Sequence, residues 1–323
     1  MQAPLVSVII PVYNQGELAV QAIDSVLSQR YPNVQAIVVD DGSTDGTADL
    51  VASRFGERVL LIRQQNQGPS AASNAALRVA QGEIIALMGG DDVCTPDRLA
   101  HQVSILSSGE WDIVFSRPDL IDDDGQPLDD AGYPVFFDPR RHDSVFVSLF
   151  FDDNYFCAPS ATMHRRVTDT LGGFHEGLIQ LQDYDYWLRA TGQGFRIGLF
   201  DHRVVKYRRH VGNLSAVRRD FAARAEIPVV LKRALNLARP EVIRPLFPGL
   251  LSPVADPAQP LSDFELSVLL LAHQREEVKL AGMERAISLL DHPERGAAAA
   301  TAAAAAAGVD YFRFLYAAGS REG

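Results

Sequence analysis

Val39-Asp40-Asp41-Gly42-Ser43-Thr44-Asp45-Gly46-Thr47, set behind the opening run Val6-Ser7-Val8-Ile9-Ile10-Pro11-Val12-Tyr13-Asn14, decides how this chain reads. Each apolar run reads as a buried parallel strand, and each ends in polar residues at its carboxyl end. That is where open α/β sheets place their ligands. Two carboxylates followed by Gly-Ser-Thr make an acceptor-rich turn that caps the next helix and suits the imide and hydroxyl groups of a nucleotide. A bare phosphate wants backbone N–H donors and cations instead. The expected ligand is a nucleoside, with its diphosphate held elsewhere.

Outward from these runs, residues 5 to about 115 alternate strand and helix, with strands expected over 5–10, 34–39, 58–63, 83–88 and 112–116. Leu18, Ala22, Ile23, Val26 and Leu27 fall on one face of the first helix. Asp45 or Thr44 is placed to cap a helix over 47–54. This alternation predicts an α/β fold with a mostly parallel, Rossmann-like sheet and right-handed crossovers. Residues 119–145, rich in Asp, Gly and Pro, predict loops around short strands. The block 150–210 mixes aromatic and charged residues, where acceptor contacts are expected. From Asp220 the chain reads as mainly helical, broken by a Pro-rich linker beginning at Phe247. The run 297–307, alanine apart from Thr301, reads as a helix or a partly ordered tail.

A length of 323 residues suits one large domain plus a smaller one. The net charge of -11 argues against a nucleic-acid partner, which calls for basic patches. Cys94 and Cys157 lie far apart, fit no metal-ligand spacing and read as reduced thiols. The opening apolar run is too short for a signal peptide or a membrane span and carries Pro11, so a cytoplasmic location is expected. Peripheral docking at the cytoplasmic face of the inner membrane stays open.

A second acidic pair, Asp91-Asp92, follows the expected strand 83–88 and precedes Thr95-Pro96-Asp97-Arg98-Leu99. Adjacent carboxylates at a strand end are costly unless a cation neutralises them. A hard divalent ion, Mg²⁺ or Mn²⁺, bridging to a diphosphate accounts for them and would assist departure of a nucleoside diphosphate as a Lewis acid. Taken alone, such a pair also serves as a helix cap.

With these motifs in order, the chain resembles the family 2 glycosyltransferases of the GT-A type, inverting enzymes that use nucleotide-sugar donors. The resemblance covers roughly residues 5–215. It rests on the two opening runs, Asn66-Gln67-Gly68-Pro69-Ser70, Gly90-Asp91-Asp92 with Pro96, and Pro159-Ser160. It continues through Gly172-Gly173-Phe174, Gln182-Asp183-Tyr184-Asp185-Tyr186-Trp187-Leu188-Arg189, and Tyr207-Arg208-Arg209-His210 with Asn213 and Ser215. The resemblance implies that Asp41 accepts a hydrogen bond from the nucleobase, with Pro11, Tyr13 and Asn14 lining the base and ribose pocket. It groups Asn74 with the donor-binding residues, turns Asp91 toward the donor ribose or sugar, and makes Asp92 a metal ligand. Asp183 matches the catalytic base, and His210 a histidine near the metal or diphosphate. Asp185 is the competitor for the base, though i and i+2 point to different helix faces. Tyr184 and Trp187 are expected in the core.

Two departures from the family pattern stand out: Gly89 where the metal motif usually begins with a further Asp, and Ser73 where the family commonly has Arg. They motivate an alternative, a catalytically impaired nucleotide-sugar-binding or scaffolding relative. A nucleotidyltransferase would need a basic, glycine-rich loop after the first strand, which Asn14-Gln15-Gly16-Glu17 does not supply. The resemblance implies a GT-A catalytic domain over 1–215, with a nucleotide-sugar half at 1–117 and an acceptor half at 118–215. A helical region of unassigned role follows over 216–323. The implied reaction is metal-dependent, inverting transfer from a nucleotide-sugar, a UDP-sugar before a GDP- or dTDP-sugar. The acceptor would be a hydroxyl of a glycan or lipid-linked saccharide. Homodimerisation stays open.

Overall fold

The computed structural model describes residues 3–129, 136, 142–210, 213, 220–251 and 253–289. The alanine run 297–307 and Ser215 lie outside the described residues. The chain divides into two units. The first takes in 1–140, 154–186 and 195–219, and the second 141–153, 187–194 and 220–323.

In the first unit the two opening runs become neighbouring parallel strands, β1 (Val6–Val12) and β2 (Val34–Asp40), paired from Val6 with Val34 to Val12 with Asp40. Their side chains are buried almost throughout, because helices cover the sheet: α1 (Gly16–Leu27), α2 (Thr47–Phe55) and α3 (Pro69–Val79). α1 buries Ala22, Ile23 and Val26 as its periodicity predicts, but also Ala19 and Val20, while Leu18 and Leu27 are only half-buried. The N-cap of α2 is Gly46, with no side-chain cap bond, where the sequence pointed to Asp45 or Thr44. Asp45 still serves the helix start, accepting from Thr47 N (2.9 Å) and Thr47 Oγ1 (2.6 Å).

The remaining strands are β3 (Leu60–Arg63), β4 (Ile84–Leu87), β5 (Val93–Cys94), β6 (Ile113–Ser116), β7 (Asp119–Ile121), β8 (Pro127–Leu128), β9 (Thr162–His164), β10 (Ile197–Phe200) and β11 (Val205–Arg208). Seven form one sheet in the order β10-β6-β9-β4-β1-β2-β3. It is mostly parallel, as predicted, except that β9 runs antiparallel between β4 and β6. The other four make a small sheet, β5-β11-β7-β8. Its pairing of β11 with β5 brings the chain after residue 204 back to the residues just past Asp92. α4 (Arg98–Leu106) and α6 (Arg165–Leu171) complete this unit, and α7 (Gln182–Gly192) begins in it at the Asp183 end.

The second unit is helical, with α5 (Val145–Phe151), the end of α7, α8 (Asp220–Leu237), α9 (Pro240–Ile243), α10 (Asp263–Leu271) and α11 (Glu276–Ser288). Ser262 caps α10 in a reciprocal box with Glu265. Seven of its nine residues are buried, which is why its apolar residues occupy every phase. Both cysteines are free and buried. Among the described residues no helix is long and apolar enough to cross a membrane.

Candidate active site

The carboxyl ends of β1, β2 and β4 open into loops that carry most of the expected site residues. After β1 the chain turns through Asn14 at φ +51°, a value Asn tolerates better than most residues. Asn14 is stitched to the β2 loop: its N–H donates to Ser43 Oγ (2.9 Å), and its Oδ1 accepts from Thr44 N (2.8 Å). Tyr13, on the same turn, is 46% exposed, an open aromatic face beside that loop. Pro11 lies opposite Val39 in the strand register.

Asp41 is buried and accepts three hydrogen bonds. Gln64 Nε2 (2.7 Å) and Gln67 N (2.9 Å) donate to its Oδ1, and Gly68 N (2.8 Å) donates to its Oδ2. The segment 64–68 can approach this closely because Gly42 has no side chain: a Cβ there would sit 2.7 Å from Asn66 N, at a φ of +78°. An ionised carboxylate offers about four lone-pair positions. Both on Oδ1 and one on Oδ2 are taken, leaving a single acceptor position on Asp41.

Asn74 is spent elsewhere. Its Oδ1 accepts from Phe174 N (2.8 Å), while Nδ2 donates to Phe174 O (2.9 Å) and Glu176 Oε1 (2.8 Å). Its amide thus clamps α3 to the 174–176 loop. Ser73 is half-buried on α3.

Asp91 and Asp92 stand between β4 and β5. Asp92 is 1% exposed; its Oδ1 accepts from Arg208 N (2.8 Å), and its Oδ2 is buried without a partner. Burial first, and the Asp91 charge next, push its pKa well above the usual carboxylate range, against the pull of Arg208 and Arg98. Gly89 stands directly over this carboxylate: a Cβ there would lie 2.4 Å from Asp92 Oδ2. Asp91 Oδ2 meets His210 Nε2 at 2.9 Å, and that hydrogen bond raises the histidine pKa. His210 is therefore in the site, but the ring nitrogen facing Asp91 must release this bond before it can ligate an ion.

The residues present fit a divalent cation. An unpartnered, buried carboxylate oxygen beside a second carboxylate is stable when a cation completes it. Among the described residues no group of three or more His, Cys, Asp or Glu converges as a full ligand set. Mg²⁺ and Mn²⁺ sites of this kind use one or two carboxylates and take their other oxygens from substrate phosphates and water.

Two buried arginines, quoted in the sequence motifs without a role, hold this corner. Arg208 donates from Nε to Asp91 O (2.8 Å), from NH1 to Asp122 O (2.9 Å) and Asp123 O (2.8 Å), and from NH2 to Gln21 Oε1 (2.9 Å). Asn213 braces it, donating to Arg208 O (2.8 Å) and accepting from His210 N (2.5 Å). Arg98, beneath, donates to Leu87 O (2.7 Å), Ala161 O (3.3 Å) and Gln102 Oε1 (3.1 Å).

Asp183 opens α7 half-exposed, whereas Asp185 is fully buried and cannot meet an acceptor from solvent. Tyr184 and Trp187 are buried, as expected of core residues. Asp183 Oδ1 accepts from Tyr184 N (2.7 Å), and its Oδ2 from Asn154 Nδ2 (3.0 Å). Cys157 is buried within electrostatic reach of both Asp183 and Asp92. Burial, then Asp92, push that thiol well above its usual range, so it stays neutral.

A model of the family described as Glycosyl transferase family 2 matches residues 7–172. The chain is 37% identical over 214 residues, 64% of its own length and 79% of the other, to TuaG of Bacillus subtilis (strain 168), a glycosyltransferase named for teichuronic acid biosynthesis. It is 32% identical over 216 residues to the uncharacterised glycosyltransferase RP339 of Rickettsia prowazekii, covering 64% of this chain and 65% of that one. Against a Rickettsia felis glycosyltransferase it spans only 31% of the relative's length. The S. aureus TarS 1–349 structure with UDP-GlcNAc superposes with a TM-score of 0.58 at 17% identity, over 88% of this chain and 73% of that one. The Pyrobaculum calidifontis mannosyltransferase PcManGT, solved with GDP-Man and Mn²⁺, gives 0.54 at 23% identity, over 99% and 87%. These two likenesses establish the GT-A fold.

Proposed function

Because this chain belongs to glycosyl transferase family 2, we propose that it transfers a sugar, with inversion, from a UDP-sugar to a hydroxyl of a glycan or lipid-linked acceptor. The observation that carries this reading is the pair of unfinished carboxylates past the carboxyl ends of β2 and β4, the two strands that flank β1. Asp41 has one acceptor position left, and Asp92 has one buried oxygen without a partner. One position suits the single imide N–H of uracil or thymine. Guanine, which presents N1–H and an exocyclic amine side by side, calls for two. Tyr13 offers the face on which a base stacks, and Pro11 and Asn14 border it.

Asp92, with Asp91 and the substrate's own phosphates, would hold Mn²⁺ or Mg²⁺, which as a Lewis acid neutralises charge on a leaving diphosphate. Asp183 takes the proton of the acceptor hydroxyl as that oxygen bonds to the anomeric carbon. The bond from the anomeric carbon to the diphosphate oxygen breaks on the opposite face, and the nucleoside diphosphate leaves with that electron pair. The departure at Gly89 weighs little toward an impaired scaffold, since a side chain there would strike the carboxylate that must bind the ion.

A thermal-shift panel of UDP, dTDP, GDP and CMP, each with Mn²⁺ and with EDTA, tests the reading. UDP with Mn²⁺ is expected to stabilise the protein by about 2.7 kcal/mol at a hundredfold excess over its dissociation constant, with a much smaller effect in EDTA. A larger shift with GDP would overturn the base assignment. No shift with any nucleotide would return the scaffold reading to the front.

A further inference from the structure

We infer that Asn154 is a positioning residue for the Asp183 carboxylate, an inference that rests on the reading of Asp183 as the base. No sequence motif marks this asparagine. It lies 29 residues from Asp183, and its side chain reaches the carboxylate with Nδ2 at 3.0 Å from Oδ2.

The orientation of the Asn154 amide is fixed by what its other end does. Oδ1 accepts from Phe156 N at 3.1 Å, which can only be an oxygen's role, so Nδ2 is the atom turned to Asp183. Phe156 is itself immobilised: it is buried, stacks on Phe115 of β6 at 4.3 Å and 23°, and lies against Tyr155 at 4.5 Å. Phe115 is fully buried on β6, which lies between β10 and β9 in the seven-stranded sheet. A rigid path therefore runs from the sheet through Phe156 N to Asn154 and on to Asp183 Oδ2. The other oxygen, Oδ1, is held by Tyr184 N at the start of α7. A donor from the helix and a donor from the sheet side both hold the carboxylate, and a base works only within hydrogen-bond reach of its proton.

Both donors favour the ionised carboxylate, the form that accepts a proton. The Cys157 thiol is also within electrostatic reach of Asp183, as it is of Asp92 and Arg98. None of these is altered by substituting Asn154.

The test follows the Asp183 carboxyl carbon by ¹³C NMR in aspartate-labelled protein, with its resonance assigned as the one missing from Asp183→Asn. Asn154→Ala is expected to raise the Asp183 titration midpoint by about one unit, the scale of one hydrogen bond to a charged group. Asn154→Asp, nearly isosteric and so the safer fold, is expected to raise it further by placing a like charge opposite Oδ2. Release of UDP from UDP-GlcNAc, used as the probe donor, is expected to fall about tenfold in kcat for Asn154→Ala with the donor KM unchanged. A midpoint unmoved in both variants overturns the inference. Wild-type turnover by Asp183→Asn removes the base reading itself, while the titration result stands or falls independently of it.

Discussion

At the scale of single residues, the site is governed by what is absent as much as by what is present. Gly89 is the clearest case. In the sequence it looked like a lost carboxylate; in the structure it is the space above Asp92 Oδ2, which a Cβ would enter at 2.4 Å. Gly89→Ala must therefore displace the Asp92 carboxylate, and overpacking of this kind costs about 1–3 kcal/mol. The expected result is a modest loss of thermal stability with a selective loss of nucleotide binding. The Mn²⁺-dependent part of the UDP-induced shift falls, and the part that persists in EDTA is kept. An unaltered Mn²⁺ dependence in this variant would detach Asp92 from the ion. Asn74 teaches the converse. Its neighbours placed it with the donor residues, but its amide is committed to Phe174 and Glu176, partners about a hundred residues away that no local pattern announces.

At the scale of elements, β11 matters more than its four residues suggest. It carries Arg208, whose guanidinium reaches Asp91 O, the 122–123 carbonyls and Gln21 of α1, while its backbone N–H holds Asp92 Oδ1. Arg208→Met keeps the bulk and the backbone donor but leaves four acceptors without their cation. Breaking a buried, multiply bonded charge costs about 3–5 kcal/mol, so Tm is expected to fall by roughly 10 °C. Saturating UDP with Mn²⁺ should recover only part of that loss, because Asp91 loses its brace; full recovery would make Arg208 a stability residue alone. The longer elements were legible in advance. β1, β2 and β4 announced themselves as apolar runs, and α2 needed correction only at its cap, where Gly46 stands in place of Asp45 or Thr44. β9 was not legible: three residues, Thr162–His164, are too few to show a period, and their antiparallel place is set by long-range pairing with β4 and β6. For the same reason Asp41, Asp92 and Asp183 could be named as candidates from sequence, whereas the hydrogen bonds made by Asn154, Arg98 and Arg208 could not. The former sit in local motifs, and the latter act across separations that only the folded chain closes.

At the scale of the whole molecule, the candidate site residues fall in the first unit, and the second has its own internal logic, centred on His273. This histidine is buried among the aromatic rings of Phe150 and Phe151, at 5.7 and 6.0 Å between centroids. Its Nδ1 accepts from Arg275 N (3.0 Å) while Nε2 donates to Phe150 O (2.8 Å), a pattern that requires the neutral ring protonated at Nε2. Burial is the main cause that lowers its pKa below the ordinary 6.5; Arg275 adds to this, and Glu277, Asp153 and the Phe150 bond oppose it. The sign follows directly. A histidine whose folded pKa is depressed contributes its full stability above the unfolded value, and that contribution is lost as pH falls through the folded value. Protonation would also turn Nδ1 into a donor facing the Arg275 N–H. Hydrogen exchange, corrected for intrinsic rates, should therefore show protection in α10 and α11 falling between pH 7.5 and 5, while β1 and β4 hold theirs. His273→Gln, which retains an amide donor without a titrating group, should flatten that pH dependence at the cost of some protection at pH 7.5. If wild type and His273→Gln lose protection in α10 and α11 equally on acidification, the acid sensitivity of this unit has another source, with Glu265 bonded to Arg244 the next group to examine.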